Sequence, residues 1–248
     1  LEEGAQWASS PAELTQQVET VITMVGFPQD VEEVYFGDHG IFSTVTSGQI
    51  LIDMTTSSPI LAEKIGKKAD ELAVMALDAP VSGGDIGAQN ATLTIMVGGN
   101  QTAFETMKPI FGQIGHATNY FGTYGAGQNA KMANQIMIAG TMTGLTEMLV
   151  YAKAARLDLK TVLETLSNGG ASNWSMENYV PRILKNDYTP GFFAKHFLKD
   201  LKIALDQAKQ MQVDLPATRL ATQLYDNLVN QQGLGDDGTQ ALIKLWWK

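Results

Sequence analysis

Short apolar stretches alternate with helix-like segments through the first half of the chain. The stretches predicted as strands are Thr20–Val25, Gln49–Met54, Ala73–Asp78, Thr92–Val97 and Asn119–Phe121. Helices are predicted near 11–18 and 58–72, with a helical turn near 29–35. Strands that alternate with helices usually pair in parallel, and the first three stretches are continuously apolar, as in sheets covered on both faces. The pattern predicts an α/β fold with a mostly parallel sheet.

After Gly127 the strand signals stop and helical periodicity continues to the end of the chain. The first helix of this half is predicted at roughly 127–155 and is apolar around most of its circumference, which predicts that it is buried. Gly and Pro positions such as Asn168–Gly170 and Gly233–Gly238 mark loops between later helices. The chain is therefore predicted to have two domains, an α/β domain at 1–124 and an all-helical domain at 125–248, joined by the long helix.

Composition and charge exclude several classes of function. The net charge of −9 disfavours a general nucleic-acid or anionic-membrane surface, because both need clustered Lys and Arg. The chain has no cysteine and only three widely separated histidines, so we expect no metal site and no disulfide framework. No apolar run approaches the length of a membrane span. We expect a cytoplasmic protein without nucleic-acid or membrane partners.

The first candidate site is the segment Asp78–Gly84, which directly follows a buried strand. Ligands of open α/β sheets usually bind at this end of the strands. Ser82 offers a hydroxyl group, and Gly83 and Gly84 allow backbone amides to approach a ligand closely, so the three residues could hold a carboxylate. An ordinary turn explains the same composition.

The second segment, Gly125–Ala130, fits the pattern G-x-G-x-x-A of a dinucleotide fingerprint. We reject that interpretation because the fingerprint needs a βαβ unit, whereas this segment opens a helix that leads only into further helices. The glycines are instead predicted to admit a ligand beside the helix N-terminus, where free amides and the helix dipole favour an anion.

Three polar residues of this helix, Lys131, Asn134 and Gln135, share one face at positions i, i+3 and i+4. A lysine in the first turns of a helix opposes the dipole, and burial by apolar neighbours also disfavours its charged form. Lys131 is therefore a candidate for proton transfer. The alternative is a surface lysine whose stem covers apolar neighbours.

A third segment, Phe192–Leu201, contains Lys199 and Asp200 within an aromatic and apolar context. Paired charges in such a context can orient a ligand. The alternative is an ordinary surface helix with an acidic residue near its first turn.

Together, the sequences DAPVSGG, GAGQNAKMANQ and FFAKHFLKDL occur in the order and approximate spacing of a known family, as does the segment Asp53–Pro59. The chain resembles the 3-hydroxyisobutyrate dehydrogenase family of β-hydroxyacid dehydrogenases, relatives of 6-phosphogluconate dehydrogenase. The resemblance spans essentially all 248 residues. It implies a Rossmann-like domain, a helical C-terminal domain joined through the long helix, and a cleft between the domains.

The resemblance also implies a reaction, the reversible oxidation of a short 3-hydroxyacid to a semialdehyde by NAD or NADP. Lys131 would be the catalytic acid/base, Asn134 would orient the substrate, and Gln135 would help to bind it where several relatives have Asn. The resemblance further implies that Ser82, Gly83 and Gly84 hold the substrate carboxylate, and that Thr56, Lys199 and Asp200 contact the cofactor, with Lys199 near either cofactor or substrate.

The largest departure from the family lies at the beginning. The family has a first βαβ unit with a glycine-rich turn, and nothing in this sequence corresponds to it, so we expect that roughly forty residues are missing before Leu1. The preference between NAD and NADP would be determined there.

Several rival functions remain open. Within the family they are a tartronate semialdehyde reductase, a glyoxylate/succinic semialdehyde reductase and an imine reductase relative. From another class comes a non-catalytic NAD(P)-binding protein, against which the presence of Lys131 weighs. A serine hydrolase is a weaker alternative because Ser82 lacks the G-x-S-x-G setting. The apolar long helix and the terminal Leu245–Trp247 also predict a homo-oligomer, because one helical domain offers limited burial for them.

Overall fold

The computed structural model describes residues 4–247 of the chain. The chain divides into two compact units, Leu1–Lys131 and Met132–Lys248, and each is described by itself. The division predicted at 124/125 remains our proposed domain boundary.

The first unit is built on a six-stranded sheet. Its strands are β1 (Thr20–Thr23), β2 (Ile50–Asp53), β3 (Met75–Asp78), β4 (Val81–Ser82), β5 (Leu93–Gly99) and β6 (Gly115–Gly122). β1, β2 and β3 pair in parallel, with Thr23 opposite Asp53 and Asp53 opposite Asp78, and β6 pairs in parallel with β5. The predicted α/β fold with a mostly parallel sheet is confirmed, and the carboxyl ends of β1, β2 and β3 lie at one edge of the sheet.

Both faces of the sheet are covered, as the continuously apolar strands predict. Ile50 and Ile52 of β2 belong to one core cluster together with Phe104 and Phe111, whereas Leu51 belongs to a second cluster. Alternate side chains of a strand point to opposite faces, so the two clusters lie on opposite sides of the sheet. The helices of this unit are α1 (Pro11–Thr15), α2 (Pro28–Phe36), α3 (Pro59–Glu71), α4 (Gly84–Gln89) and α5 (Gln101–Ile114).

Two features of the sheet do not follow the parallel prediction. β3 pairs antiparallel with β5, and the short strand β4, which the apolar pattern does not predict, also pairs antiparallel with β5. The approach of β5 to β3 is close, since a Cβ atom on Gly99 would lie 2.4 Å from the carbonyl oxygen of Ala76. As a result, the chain turns back after Asp78 and returns Val81–Ser82 to the sheet.

The second unit is helical, as predicted. Helix α6 (Ala126–Ala154) crosses the division between the units and is followed by α7 (Leu159–Leu166), α8 (Trp174–Ile183), α9 (Ala194–Gln210) and α10 (Pro216–Asp226). α10 continues into a π-helical turn at Asn227–Gln231, and a 3₁₀ helix occupies Thr239–Leu245. Apolar residues of α6, α8, α9 and α10 form one core that includes Leu149, Val180, Phe197 and Tyr225.

The long helix, predicted to be buried, is buried within this chain except along one face. Met137 and Tyr151 of α6 are 67% and 75% exposed, and Gly140 and Gly144 are exposed between them. The spacing of these four residues places them along one stripe of the helix. The opposite face, with Met142, Leu145 and Leu149, is buried in the core of the second unit.

Candidate functional site

Lys131 lies in the second turn of α6 and is buried, with 5% of its surface exposed. Its Nζ atom donates a hydrogen bond of 2.8 Å to the carbonyl oxygen of Val81. Val81 is the residue before Ser82 and forms β4 with it. The structure therefore brings the predicted acid/base next to the predicted carboxylate-binding segment, although 50 positions separate them in the chain. The alternative of a surface lysine is wrong.

The segment after β4 exposes backbone rather than side chains. Gly83 and Gly84 are exposed and have φ angles of +129° and +64°, values that favour glycine because a Cβ atom would be strained there. Ser82 is half-buried. Three consecutive residues thus offer one hydroxyl and accessible peptide groups beside Lys131, which is a chemistry suited to a carboxylate. The assignment of this segment to substrate stays a prediction.

The N-terminus of α6 is occupied by a carboxylate from the protein itself. Asp78, at the end of β3, accepts hydrogen bonds from the backbone amides of Gly125 (2.9 Å) and Gln128 (2.8 Å). Burial raises the pKa of Asp78 to about 6, against the backbone amides, which favour the ionised form. The prediction that these amides bind an anionic ligand is therefore wrong, because Asp78 already takes them.

Gly127 is required by a neighbouring backbone and not by a ligand. A Cβ atom on Gly127 would lie 2.4 Å from the carbonyl oxygen of Met96 and 2.5 Å from that of Asp78. A Cβ atom on Gly98 would in turn lie 2.6 Å from the amide nitrogen of Gly127. The two glycines let the first turn of α6 pack directly on β5 and on the end of β3. This corrects the prediction that the glycines admit a ligand.

Gln128 joins this helix to the loop that follows β2. Its side chain is fully buried; Nε2 donates to the carbonyl oxygen of Thr55 (2.7 Å), and Oε1 accepts from the amide of Ser57 (2.9 Å). Thr56 lies between these two peptide groups and is half-buried. The Ser57 hydroxyl is also buried, and none of residues 4–247 makes a hydrogen bond to it. The loop predicted to contact the cofactor is thus anchored to the helix that carries Lys131.

The remaining predicted residues form a polar network in the second unit. Asn134 donates to the side-chain oxygen of Gln135 (2.7 Å), and Gln135 donates to Asp200 (2.6 Å). Lys199 forms an ion pair of 3.0 Å with the same carboxylate. Gln135 and Asp200 are 0% and 1% exposed, whereas Asn134 and Lys199 keep part of their surface. The two buried residues therefore orient the two that remain accessible, and direct ligand contacts for all four stay predictions.

Sequence reasoning did not assign roles to Asp78 and Gln128. Asp78 is the first residue of the motif DAPVSGG. Gln128 is a polar residue about one turn before Lys131 in a largely apolar helix. Their partners are backbone atoms 47 to 73 positions away, which no local pattern shows. Within the described range 4–247, no group of three or more His, Asp or Glu side chains could hold a metal ion. None of the helices in that range is long and apolar enough to span a membrane.

Comparison with protein families gives one match for each half of the chain. Residues 1–125 match the family described as the NAD binding domain of 6-phosphogluconate dehydrogenase. Residues 125–246 match the family described as NAD-binding of NADP-dependent 3-hydroxyisobutyrate dehydrogenase. The two matches meet at Gly125, just before α6.

Curated relatives match over nearly the whole chain. An uncharacterized oxidoreductase of Bacillus subtilis, YkwC, is 50% identical over 100% of this chain and 86% of its own length. The probable 3-hydroxyisobutyrate dehydrogenase-like 1 of Arabidopsis thaliana is 47% identical over 98% of this chain and 72% of its own length. The 2-hydroxy-3-oxopropionate reductase of Escherichia coli is 36% identical over 97% of this chain and 78% of its own length.

Solved structures show the same architecture. A 3-hydroxyisobutyrate dehydrogenase from Salmonella typhimurium superposes with a TM-score of 0.86 and 26% identity, covering 96% of this chain and 83% of that one. The 3-hydroxyisobutyrate dehydrogenase of Mycobacterium tuberculosis, solved with L-serine, superposes with a TM-score of 0.88 and 25% identity, covering 97% of this chain and 84% of that one.

Proposed function

We propose a specific reaction mechanism for this chain, which belongs to the 3-hydroxyisobutyrate dehydrogenase family and is an NAD(P)-dependent 3-hydroxyacid dehydrogenase. Lys131 is the general acid/base, and the substrate is a short 3-hydroxyacid whose oxidation gives a semialdehyde. The observation that carries the proposal is the 2.8 Å hydrogen bond from the Lys131 ammonium group to Val81, directly before Ser82, Gly83 and Gly84.

The residues near Thr56 fit the nicotinamide end of the cofactor. They follow β2 at the carboxyl edge of the parallel strands, where open α/β sheets usually bind dinucleotides. The half-buried Thr56 and the buried hydroxyl of Ser57, to which no residue between 4 and 247 makes a hydrogen bond, provide polar groups at that edge. When bound, the oxidised cofactor, NAD or NADP, would accept a hydride from the substrate alcohol, and its reduced form would give one to the aldehyde.

Lys131 moves the proton that accompanies the hydride. In the oxidation, the neutral amine takes the proton of the substrate hydroxyl, and in the reduction the ammonium group supplies it. Burial of the Lys131 side chain limits the access of bulk water to that proton, and the bond to Val81 holds the side chain toward the substrate segment. Positioned general acid/base groups typically contribute 10²- to 10⁴-fold to the rate.

The remaining polar residues bind and orient the substrate and cofactor. Ser82, Gly83 and Gly84 bind the substrate carboxylate through a hydroxyl and backbone amides. Asn134, held by Gln135, orients the reacting carbon, and Lys199, held by Asp200, contacts the cofactor or the substrate. Gln135 and Asp200, which the family resemblance places in direct contact with substrate and cofactor, are nearly inaccessible, so we propose that their part is to hold Asn134 and Lys199 in place.

The decisive experiment compares Lys131→Met with the wild-type protein. NAD and NADP are tested in turn against 3-hydroxyisobutyrate and L-serine, and their reduced forms against tartronate, methylmalonate and succinate semialdehydes and glyoxylate. We expect turnover to fall by about 10³-fold or more, with cofactor affinity unchanged. Lys67→Met, at an exposed position of α3, is the control and should stay fully active. Near-normal turnover of Lys131→Met would remove Lys131 from the mechanism.

A second candidate activity is the reduction of 2-hydroxy-3-oxopropionate, the tartronate semialdehyde. It is favoured by the similarity to the E. coli 2-hydroxy-3-oxopropionate reductase, which extends over 97% of this chain. The substrate panel separates the two candidates, because the preferred substrate has the highest kcat/KM.

The proposed assembly is a homo-oligomer that buries the exposed stripe of α6. Beside that stripe, a groove of about 600 Å³ is lined by residues of α6, of α7 and of the loop between them, including Met148, Leu157 and Val162. Exposed apolar side chains next to an apolar groove are typical of protein interfaces. The proposed location is the cytoplasm, because a chain without cysteine has no disulfide that would need an oxidising compartment. Cell fractionation tests this location.

A further inference from the structure

The side-chain amide of Gln128 uses both its donor and its acceptor on one loop. Nε2 donates to the carbonyl oxygen of Thr55 and Oε1 accepts from the amide of Ser57, at 2.7 and 2.9 Å. These two groups flank Thr56 on either side. Gln128 therefore holds the backbone around Thr56 as a neighbouring strand would, by pairing with one carbonyl and one amide two residues apart.

The same loop is fastened to the preceding strand connection. The Thr55 hydroxyl accepts a hydrogen bond of 3.0 Å from the amide of Val25, and the Thr55 amide donates to Asp53 at 3.0 Å. The loops after β1 and β2 are thus joined to each other. Gln128 joins both of them to α6.

The backbone of Gln128 is fixed as well, since its amide donates to Asp78 at 2.8 Å. Lys131 follows three residues later, so the two side chains are neighbours on the helix surface, about one turn apart. Between the Asp78 bond and the Val81 bond, this turn has little freedom to rotate or slide.

We propose that Gln128 is a positioning residue that sets the Thr56 loop at a fixed distance from the Lys131 ammonium group, and so aligns hydride transfer with proton transfer. The proposal rests on the function proposed above for Lys131 and Thr56. Glutamine is required because the bridge needs one donor and one acceptor on a planar group. Methionine has a similar length but leaves the Thr55 carbonyl and the Ser57 amide unpaired and buried.

A matched control exists in the same unit. Gln49 is also a buried glutamine whose amide bridges backbone groups: it donates to the carbonyl oxygens of Thr15 and Val18 and accepts from the amide of Thr46. It precedes β2, at the end of the strand opposite to Thr55. Gln49→Met therefore removes an equivalent bridge far from the proposed chemistry.

The first measurement compares Gln128→Met and Gln49→Met in the gene product. We expect similar losses of thermal stability in both. A misplacement of about 1 Å can cost roughly 10²-fold in rate, so we expect kcat to fall about 10- to 100-fold in Gln128→Met alone, with the KM for the hydroxyacid substrate little changed. Loss of one ordered contact predicts that the dissociation constant of NADH or NADPH rises roughly 3- to 10-fold in Gln128→Met alone. Cofactor fluorescence measures this dissociation constant.

The second measurement is the pH profile of Gln128→Glu. A protonated glutamic acid can donate to Thr55 and accept from Ser57, as glutamine does, whereas the carboxylate cannot donate. We expect kcat of this variant to rise toward the wild-type value as the pH falls. Asp78, Asp53 and Lys131 are the neighbouring ionisable groups, and they are common to both proteins. The ratio of variant to wild-type kcat therefore isolates residue 128.

Two results would overturn the proposal. One is a kcat and a cofactor dissociation constant in Gln128→Met that match those of Gln49→Met, and the other is a pH-independent ratio for Gln128→Glu. A wild-type protein without turnover on any substrate would instead refute the proposed function. In that case the two dissociation constants, which need no turnover, still decide whether Gln128 positions the cofactor loop.

Discussion

Replacing Gly127 by alanine tests how α6 is seated on the sheet. The new Cβ atom would lie 2.4 to 2.8 Å from Met96 O, Asp78 O and Gly98 N. All three are backbone atoms in strands or directly bonded to them, so none can rotate away as a side chain would. Ordinary van der Waals contact begins near 3.4 Å. The first turn of α6 must therefore move by about 1 Å, or the strands must separate by as much.

This displacement has a cost in stability and a cost in activity. Inserting a methyl group into a closely packed site typically costs about 1–3 kcal/mol. Alanine returns at most about 1 kcal/mol through its higher helix propensity. We expect a net loss of roughly 1–2 kcal/mol, which lowers the unfolding temperature of a chain of this size by about 2–8 °C. Because Lys131 lies one turn later, kcat should also fall by roughly 10- to 100-fold.

Calorimetry and steady-state kinetics on the gene product measure both effects. Gly112→Ala is the control, because Gly112 is an exposed glycine of α5 and a Cβ atom added to it would meet no other atom within 4 Å. It should raise the unfolding temperature slightly through helix propensity, with activity unchanged. If Gly127→Ala behaves like Gly112→Ala, the close seating of α6 on β5 does not determine the position of Lys131.

Two further predictions concern charge and assembly. Ionisation of Asp78 costs folding free energy because burial raises its folded-state pKa to about 6, so stability falls as the pH rises from about 4 to 7. Urea unfolding should measure the free energy of unfolding of the wild type and of Asp78→Asn at pH 4.5 and at pH 7.5. The difference between wild type and variant should be smaller at pH 7.5 by ~2 kcal/mol. A larger difference at pH 7.5 would mean that the hydrogen bonds from the backbone amides outweigh the effect of burial on the pKa of Asp78. Tyr151→Arg, at a 75% exposed position of α6, should lower the oligomer mass measured by light scattering without unfolding the protein, and an unchanged mass would exclude that face as the interface.

The local pattern of apolar residues is sufficient to predict those elements in which buried positions recur regularly along the chain. β2 is predicted at Gln49–Met54 and occupies Ile50–Asp53, and α6 is predicted at roughly 127–155 and occupies Ala126–Ala154. Both are long or strongly apolar, so periodicity alone identifies them. The two-residue strand β4 has no such signal. It forms because the chain must reverse after Asp78 to pair antiparallel with β5, which is a tertiary constraint.

The residues of the candidate site also fall into those that the sequence can predict and those that it cannot. Lys131 stands out because a lysine is unusual in an apolar helix, and the structure shows it buried beside Val81. Gln128 and Asp78 do not stand out because their partners are peptide groups of distant segments, and every residue carries the same peptide group. Sequence can indicate which side chain is chemically unusual, but not which backbone atoms will lie opposite a common polar side chain.

The resemblance of Gly125–Ala130 to a dinucleotide fingerprint has a physical cause. In the fingerprint, glycines allow a close backbone approach at a helix N-terminus, and the helix amides hold an anion. The same two requirements are met here, but the backbone that approaches belongs to β5 and the anion is the carboxylate of Asp78. A glycine pattern at a helix start therefore indicates close approach and an anion, without saying whether that anion is a ligand. In this chain the anion is internal, and its effect is to fix the turn that carries Gln128 and Lys131.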